Sequence, residues 1–274
     1  MDFIYITILG AIQGATEFLP VSSSGHLAAG KLLFNMNSFA DQPLLLEILL
    51  HIATLMAVII VYRKDITGLL KGLIDTISAL FKGTIKENIK HNKYVRLLAL
   101  LIAGTIPTGI IGVTMEKSGI AGHVASSHIL LGLSFLSCAI ILMLGKLNQK
   151  TVNPLNFKLA FIIGIAQGIA VMPGISRSGT TIIVAMLLGI ERTEAAKFSF
   201  LLSIPAILGA AVLDFDLAAL ANTGQTAGII SGFAAAFIVG IVALLGLIKL
   251  VKSGRLWLFA PYVATLGLLV MLFL

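Results

Sequence analysis

Apolar runs long enough to cross a bilayer dominate this chain and set what it can fold into. Leu44–Tyr62 and Ile129–Leu144 are two of the apolar segments, which fall at 3–20, 23–35, 43–62, 95–115, 126–145, 157–172, 179–190, 198–213, 226–248 and 255–274. A spanning helix needs about 20 such residues, so the chain has room for roughly six to nine passes with short loops. The runs do not alternate at period two, which excludes a transmembrane barrel. Composition agrees: 58% of residues are hydrophobic and 11% charged, against about 45–50% and about 25% in a soluble domain. The chain therefore reads as an all-α polytopic membrane protein, one transmembrane domain over residues 1–274. A soluble enzyme domain, a disordered chain and a disulfide scaffold are excluded. Cys138 is the sole cysteine and reads as a small buried hydrophobe. Asp2, with no Lys or Arg before Ile4, argues against a cleavable signal.

Two polar breaks interrupt this pattern. Pro20-Val21-Ser22 separates the first two segments, and Pro173–Ser178 separates the sixth and seventh. The segment after each break is too short to span, and each connector is costly in lipid unless buried in protein or in a wet cavity. Both pairs read as re-entrant helical hairpins, 3–35 and 157–190, accompanied by about six transmembrane helices. The Lys-rich stretch 63–94 includes Ile66–Phe81, which reads as an amphipathic surface helix.

The net charge of +7 does not point to nucleic acid, because of where the basic residues lie. Stretches 63–96, 146–158, 192–197 and 249–255 hold 16 of the 19. Lys31 and Lys117 fall elsewhere, and Arg177 lies inside the membrane. The positive-inside rule places those stretches in the cytoplasm and the Asp-bearing 214–225 loop outside. That assignment works only if each hairpin returns to the side it entered. A shift of 154 residues superimposes Gly10, Gln13, Gly14, Ser22, Ser24 and Gly25 on Gly164, Gln167, Gly168, Ser176, Ser178 and Gly179. The first repeat then covers 1–145 and the second, inverted, 157–274. Inverted repeats bring broken helices together near the midplane, where a site can form.

The first tip carries Gln13, Glu17, Ser22, Ser23, Ser24 and His26. Gln13 and Glu17 are one turn apart, and an intramembrane carboxylate is a functional group by default. Serines at a helix start cap it, and its free N–H groups attract anions. Ser23 and His26 are three apart, a spacing that lets both face one ligand. The second tip carries Ser176, Arg177, Ser178, Thr180 and Thr181. A mid-membrane arginine costs about 2.5–3.5 kcal/mol even on the lenient scale, so it needs an anion. Glu17 or a phosphate meets that need, since guanidinium can bind two oxygens at once. Glu47 and His51 share a helix face and read equally as cavity wall or as a local pair. His91, His123 and His128 read as solvated or interfacial.

Together the stretches Gln13–His26 and Pro173–Thr181 strongly resemble the undecaprenyl-diphosphate phosphatase, or bacitracin-resistance, family of bacteria. Leu46–Ile48, Thr105–Gly109 and Ala195–Ala206 extend the resemblance to essentially the whole chain. The resemblance implies an interdigitated inverted repeat with two re-entrant hairpins. It implies removal of the terminal phosphate of undecaprenyl diphosphate at the outer face of the bacterial cytoplasmic membrane, which recycles the lipid carrier for wall polymers and confers bacitracin resistance. It also implies a divalent cation, magnesium or calcium. By position, the family's acidic pair falls on Gln13 and Glu17, its serine on Ser23, its histidine on His26 and its phosphate-binding arginine on Arg177. Ser176 and Thr181 match the family's neighbouring hydroxyls. Gln13 leaves one carboxylate where two are usual, and is the weaker metal ligand. The Lys-Arg-Pro motif of phosphatidate-type phosphatases is absent.

The expected chemistry is therefore a lipid diphosphatase. Ser23, His26 and Glu17 are its catalytic candidates. Arg177, Ser22, Ser24, Ser176, Ser178 and Thr181 are its phosphate-binding candidates, and Glu17 with Gln13 would hold the metal. Ser23 or a water attacks phosphorus. The expected partners are the lipid substrate and membrane lipids. The alternative is a flippase or secondary transporter built on the same inverted repeat, which needs charge recognition but no nucleophile.

Overall fold

The computed structural model describes residues 3–33, 43–147, 153–214 and 226–274. Residues 215–225 of the loop read as exterior, residues 34–35 of the first hairpin and Lys150 lie outside the described residues. The described chain is helical: α1 (Phe3–Phe18), α2 (Ser23–Leu33), α3 (Pro43–Val61), α4 (Arg63–Lys82), α5 (Ile85–His91), α6 (Lys93–Lys117), α7 (Ile120–Ser126), α8 (His128–Leu144), α9 (Phe157–Ile169), α10 (Arg177–Leu187), α11 (Arg192–Asp214), α12 (Thr226–Lys252), a 3₁₀ turn (Leu256–Phe259) and α13 (Ala260–Phe273). Among the described residues four helices are long and apolar enough to cross a membrane, and up to six if each of two bent pairs counts once. This is the all-α, multi-pass architecture expected.

Side chains set the boundaries. Asn92 caps α6 by accepting from the N–H groups of Tyr94 and Val95, Ser127 caps α8 through Leu130, and Asn156 caps α9 through Leu159. Each satisfies donors that a helix start leaves orphaned. The two breaks fall where the prolines put them, with α1 ending at Phe18 ahead of Pro20 and α9 at Ile169 ahead of Pro173. The stretch read as a surface helix is α4, which turns 89° from α3 at Tyr62. Gly68, Gly72 and Ala79 face inward, and Leu70, Ile74 and Phe81 are exposed.

Packing crosses between the two halves of the chain. α1 lies along α12, α9 along α6, and α8 along α13. Lipid tails are as apolar as leucine, so helices associate through close van der Waals contact at small residues rather than through hydrophobic expulsion. The closest approaches bear this out. A Cβ on Gly10 would stand 2.0 Å from the Gly232 carbonyl oxygen, and one on Gly164 would stand 2.1 Å from that of Gly104. Gly10 and Gly164 are the first pair that the 154-residue shift superimposes. Hydroxyls reinforce both contacts: Thr7 bonds Ser231 at 2.7 Å, and Thr108 donates to the Gly164 carbonyl at 2.8 Å. The α2 and α10 tips meet inside this frame, over a core that includes Phe18, Phe135, Ile182 and Phe200.

Candidate active site

The two tips are tied to each other before they hold anything else. Ser22 has φ 67°, the only positive φ outside glycine among the described residues. That conformation turns its Oγ to accept from Gly174 N–H at 3.1 Å and from Gly25 N–H at 3.3 Å. In return Ser178 Oγ donates to the Phe18 carbonyl at 2.9 Å. Gly25 permits the approach, since a Cβ there would lie 2.8 Å from Gly174 Cα. Ser176 Oγ accepts from Gly179 N–H and so caps α10. Thr181 bonds Ser199 on α11.

A cavity of about 290 Å³ opens beside these ties. Its polar lining is Thr16, Glu17, Ser22, Ser23, Ser24, Glu47, His51, Thr108, Gln167, Ser176 and Arg177. Its apolar lining includes Ile48, Val171, Ile175, Ala206 and Ile207. Of the phosphate-binding candidates, Arg177, Ser22, Ser24 and Ser176 line it. Ser178 and Thr181 do not; their hydroxyls are used in tip-to-helix ties. Of the hydroxyls on the wall, Ser22 and Ser176 already accept backbone N–H groups.

Glu17 is the centre of the polar lining. Arg177 Nη2 donates to its Oε1, closing the ion pair between the two tips. Ser23 Oγ and Gln13 Nε2 each donate to its Oε2 at 3.1 Å. The Glu17 side chain is 6% exposed and that of Arg177 19%, so the pair is desolvated but the guanidinium reaches the cavity. A buried carboxylate with this many donors is a satisfied anion, and the cost of isolating it would be several kcal/mol.

Ser23 and His26 have different hydrogen-bond partners. His26 Nδ1 donates to the Ser22 carbonyl at 2.8 Å, and its Nε2 meets the Tyr262 hydroxyl at 2.8 Å. Its ring stacks on Tyr262 and meets Phe135 edge-on. A carbonyl can only accept, so Nδ1 carries the proton and Nε2 accepts from tyrosine. Nδ1 is thereby used by the preceding turn of the tip and Nε2 by Tyr262 on α13, and His26 is not among the residues that line the cavity. The three-residue spacing allowed a common face; this back-bond to the preceding turn and the aromatic seat drew the imidazole elsewhere.

A different histidine stands at the carboxylate. His51 Nε2 lies 3.4 Å from Glu17 Oε2 and 3.3 Å from Gln13 Nε2, while its Nδ1 donates to the Glu47 carbonyl at 2.8 Å. In the neutral ring the lone pair is therefore on Nε2, facing Glu17 and the cavity. The sequence left His51 evenly between cavity wall and local pair, because helical spacing to Glu47 does not reveal which way the shared face points. Gln167, the repeat mate of Gln13, was not singled out. Its Nε2 donates to the Leu202 carbonyl at 3.2 Å, and its Oε1 is buried with no partner. Its match to Gln13 under the 154-residue shift was the available signal.

Among the described residues no three His, Cys, Asp or Glu side chains gather into a metal-binding group. Two carboxylates, Glu17 and Glu47, nevertheless border the same cavity as the orphaned Gln167 oxygen. One or two carboxylates completed by phosphate oxygens and water is the usual way a protein holds magnesium. The donor set fits a cation that arrives with its phosphate ligand.

Residues 6–269 match the family described as bacitracin resistance protein BacA. The undecaprenyl-diphosphatase of Desulforapulum autotrophicum is 39% identical, with 98% of this chain and 97% of the relative covered. Those of Alkaliphilus metalliredigens and Christiangramia forsetii are 40% and 36% identical, covering 97% and 100% of this chain and 96% and 98% of the relatives. With that full-length similarity, and with the two tips meeting at one arginine–carboxylate pair, the chain belongs to the bacitracin resistance protein BacA family.

Proposed function

We propose that this protein hydrolyses undecaprenyl diphosphate to undecaprenyl phosphate and inorganic phosphate, returning the lipid carrier to cell-wall synthesis and conferring bacitracin resistance. One observation carries the reading: Ser23 and Arg177, from different chain segments, converge on one buried carboxylate at a cavity lined by both polar and apolar side chains. The polar lining suits a diphosphate head and the apolar lining a prenyl chain. The named relatives carry the same activity in their names.

Arg177 clamps the terminal phosphate with the guanidinium N–H groups that Glu17 does not occupy. Ser23 Oγ passes its proton along the existing bond to Glu17 and attacks the terminal phosphorus. The bond to the bridging oxygen breaks, and its electron pair leaves with undecaprenyl phosphate. Water then attacks the phosphoserine and gives its proton to His51 Nε2, while Ser23 recovers its own from Glu17. His26 is a positioning residue that holds the tip through the Ser22 carbonyl. Ser24 and the N-termini of α2 and α10 add positive field at the phosphate. Glu17 and Glu47, with the unpartnered amide oxygen of Gln167, would hold a magnesium or calcium ion, which would supply charge against the diphosphate oxygens.

The two halves form an inverted repeat in the cytoplasmic membrane of a bacterium, with 63–96 inside and the cavity opening to the exterior. The packing of α1 on α12 and of α9 on α6 supports the repeat, and the basic loops support the orientation. A flippase is not favoured, because a carrier has no use for a serine hydroxyl bonded to a carboxylate. The test is purified protein in detergent with undecaprenyl diphosphate. Stoichiometric release of inorganic phosphate and undecaprenyl phosphate, suppressed by chelator, is expected. Tight binding of the lipid with no release would leave the carrier reading in its place.

A further inference from the structure

A second cavity, of about 370 Å³, lies where the start of α6, the residues ahead of α9 and the first turns of α11 meet. Lys90, Lys93, Arg96 and Lys197 border it, with Glu194 as the single carboxylate on its wall. Leu100 and Phe198, both buried, form an apolar floor. We propose that this cavity is a binding site for a phosphate group, separate from the catalytic one.

Cations outside the membrane core are ordinary, and solvated lysines would spread apart in water. Here four meet on one concavity: Lys90, Lys93 and Arg96 from the turn between α5 and α6, and Lys197 from about 100 residues further along the chain. Arg96 is fixed there, donating from Nη2 to the Leu155 carbonyl at 3.0 Å. The rest of its fork remains for a ligand. Lys197 is held by Asp65 at 3.6 Å and Glu194 opposes a second charge, which leaves the cluster net positive. The start of α6 adds the positive end of a helix dipole. Four cations over an apolar floor repel one another less with an anion among them, and a planar guanidinium beside flexible ammonium groups is the donor set that phosphate oxygens take. Basic pockets between transmembrane helices hold anionic lipid headgroups in this way.

The site is not the far end of the catalytic cavity. Arg96 and Thr108 are both on α6, and the twelve residues between them span about 18 Å of helix. Lys197 and Ala206 are separated in the same sense along α11 by about 13 Å. A ligand here touches neither Glu17 nor Arg177.

The phosphate can come from an anionic lipid or from solution, and one experiment distinguishes the two. The whole protein is delipidated in detergent and titrated with phosphatidylglycerol, with phosphatidylcholine and with inorganic phosphate, and bound species are counted by native mass spectrometry. Lys90→Gln/Lys93→Gln removes two exposed cations, of which Lys93 lies over the Tyr94 ring at 5.6 Å, and Glu194→Gln removes the opposing charge. The expected result is one saturable phosphatidylglycerol, weakened roughly tenfold or more in the lysine variant and tightened in Glu194→Gln. Saturable binding of inorganic phosphate with the same response to both variants supports the site with a soluble ligand instead. Hydrolysis of substrate should be unchanged in the lysine variant. Equal binding of all three probes by the parent and both variants overturns the proposal.

Discussion

Arg177→Met and Glu17→Gln, made singly and together, separate the structural from the chemical role of the pair at the tips. In the parent the Glu17 carboxylate is buried and takes donors from Arg177, Gln13 and Ser23. Arg177→Met leaves that charge with two neutral donors in a desolvated site. Breaking a buried pair from one side costs about 3–5 kcal/mol. The Gln13 and Ser23 bonds persist, and a hydrogen bond to a charged group is worth about 1.5–3 kcal/mol, so the loss should fall at the low end, near 3 kcal/mol. Glu17→Gln leaves the guanidinium unpaired, but Arg177 is 19% exposed and can turn to water in the cavity, so its loss should be smaller. The double variant has no uncompensated charge and should recover most of the stability of the parent. Turnover behaves differently. Removing a preorganised charge stabiliser costs about 10²–10³-fold, so all three variants should be nearly inactive. Unfolding in mixed micelles reports the first quantity, and phosphate release from a prenyl diphosphate the second. A stable Arg177→Met protein that turns over at the parent rate would refute the clamp. A double variant no more stable than Arg177→Met would refute the picture of Glu17 as a satisfied buried anion.

Ser23→Ala should abolish turnover while lipid binding survives, since Arg177 and the helix N-termini remain; retained hydrolysis would move the attack to water. His51→Gln should lower turnover by about 10²–10⁴, the worth of a general acid–base group. Tyr262→Phe, which removes only the bond to His26 Nε2, should stay within a few-fold of the parent, and a collapse of activity there would return His26 to the chemistry. Gly164→Ala should weaken the α6–α9 contact severely, because the new methyl group would stand 2.1 Å from a backbone oxygen; Gly109→Ala, with open space around it, is the control. A cysteine at Gly83 should resist an impermeant reagent in intact cells while one at Thr223 reacts, and the reverse pattern would invert the orientation.

Glu17, Ser23 and Arg177 were legible in the sequence for one reason. A charge or a run of hydroxyls inside an apolar segment has a free-energy cost that only a site or a partner offsets, and that cost depends on composition and position along the chain. The helical runs and the two breaks followed from run length and proline placement by the same local logic. The direction of a side chain is not local. Ser22, Ser24, Ser178 and Thr181 looked alike as tip hydroxyls, yet Ser178 and Thr181 tie the tips to their neighbours while Ser24 lines the cavity. His26 was three residues from Ser23 in sequence, but Phe135 and Tyr262, from α8 and α13, decided where its ring would sit. His51 came to Glu17 from a separate helix, and no spacing along the chain encodes that approach. The sequence by itself determined which groups had to be sheltered from lipid. Only the packing of α1 on α12, of α9 on α6 and of the tips on each other decided which of them face the cavity, because that choice is made by neighbours that are distant along the chain.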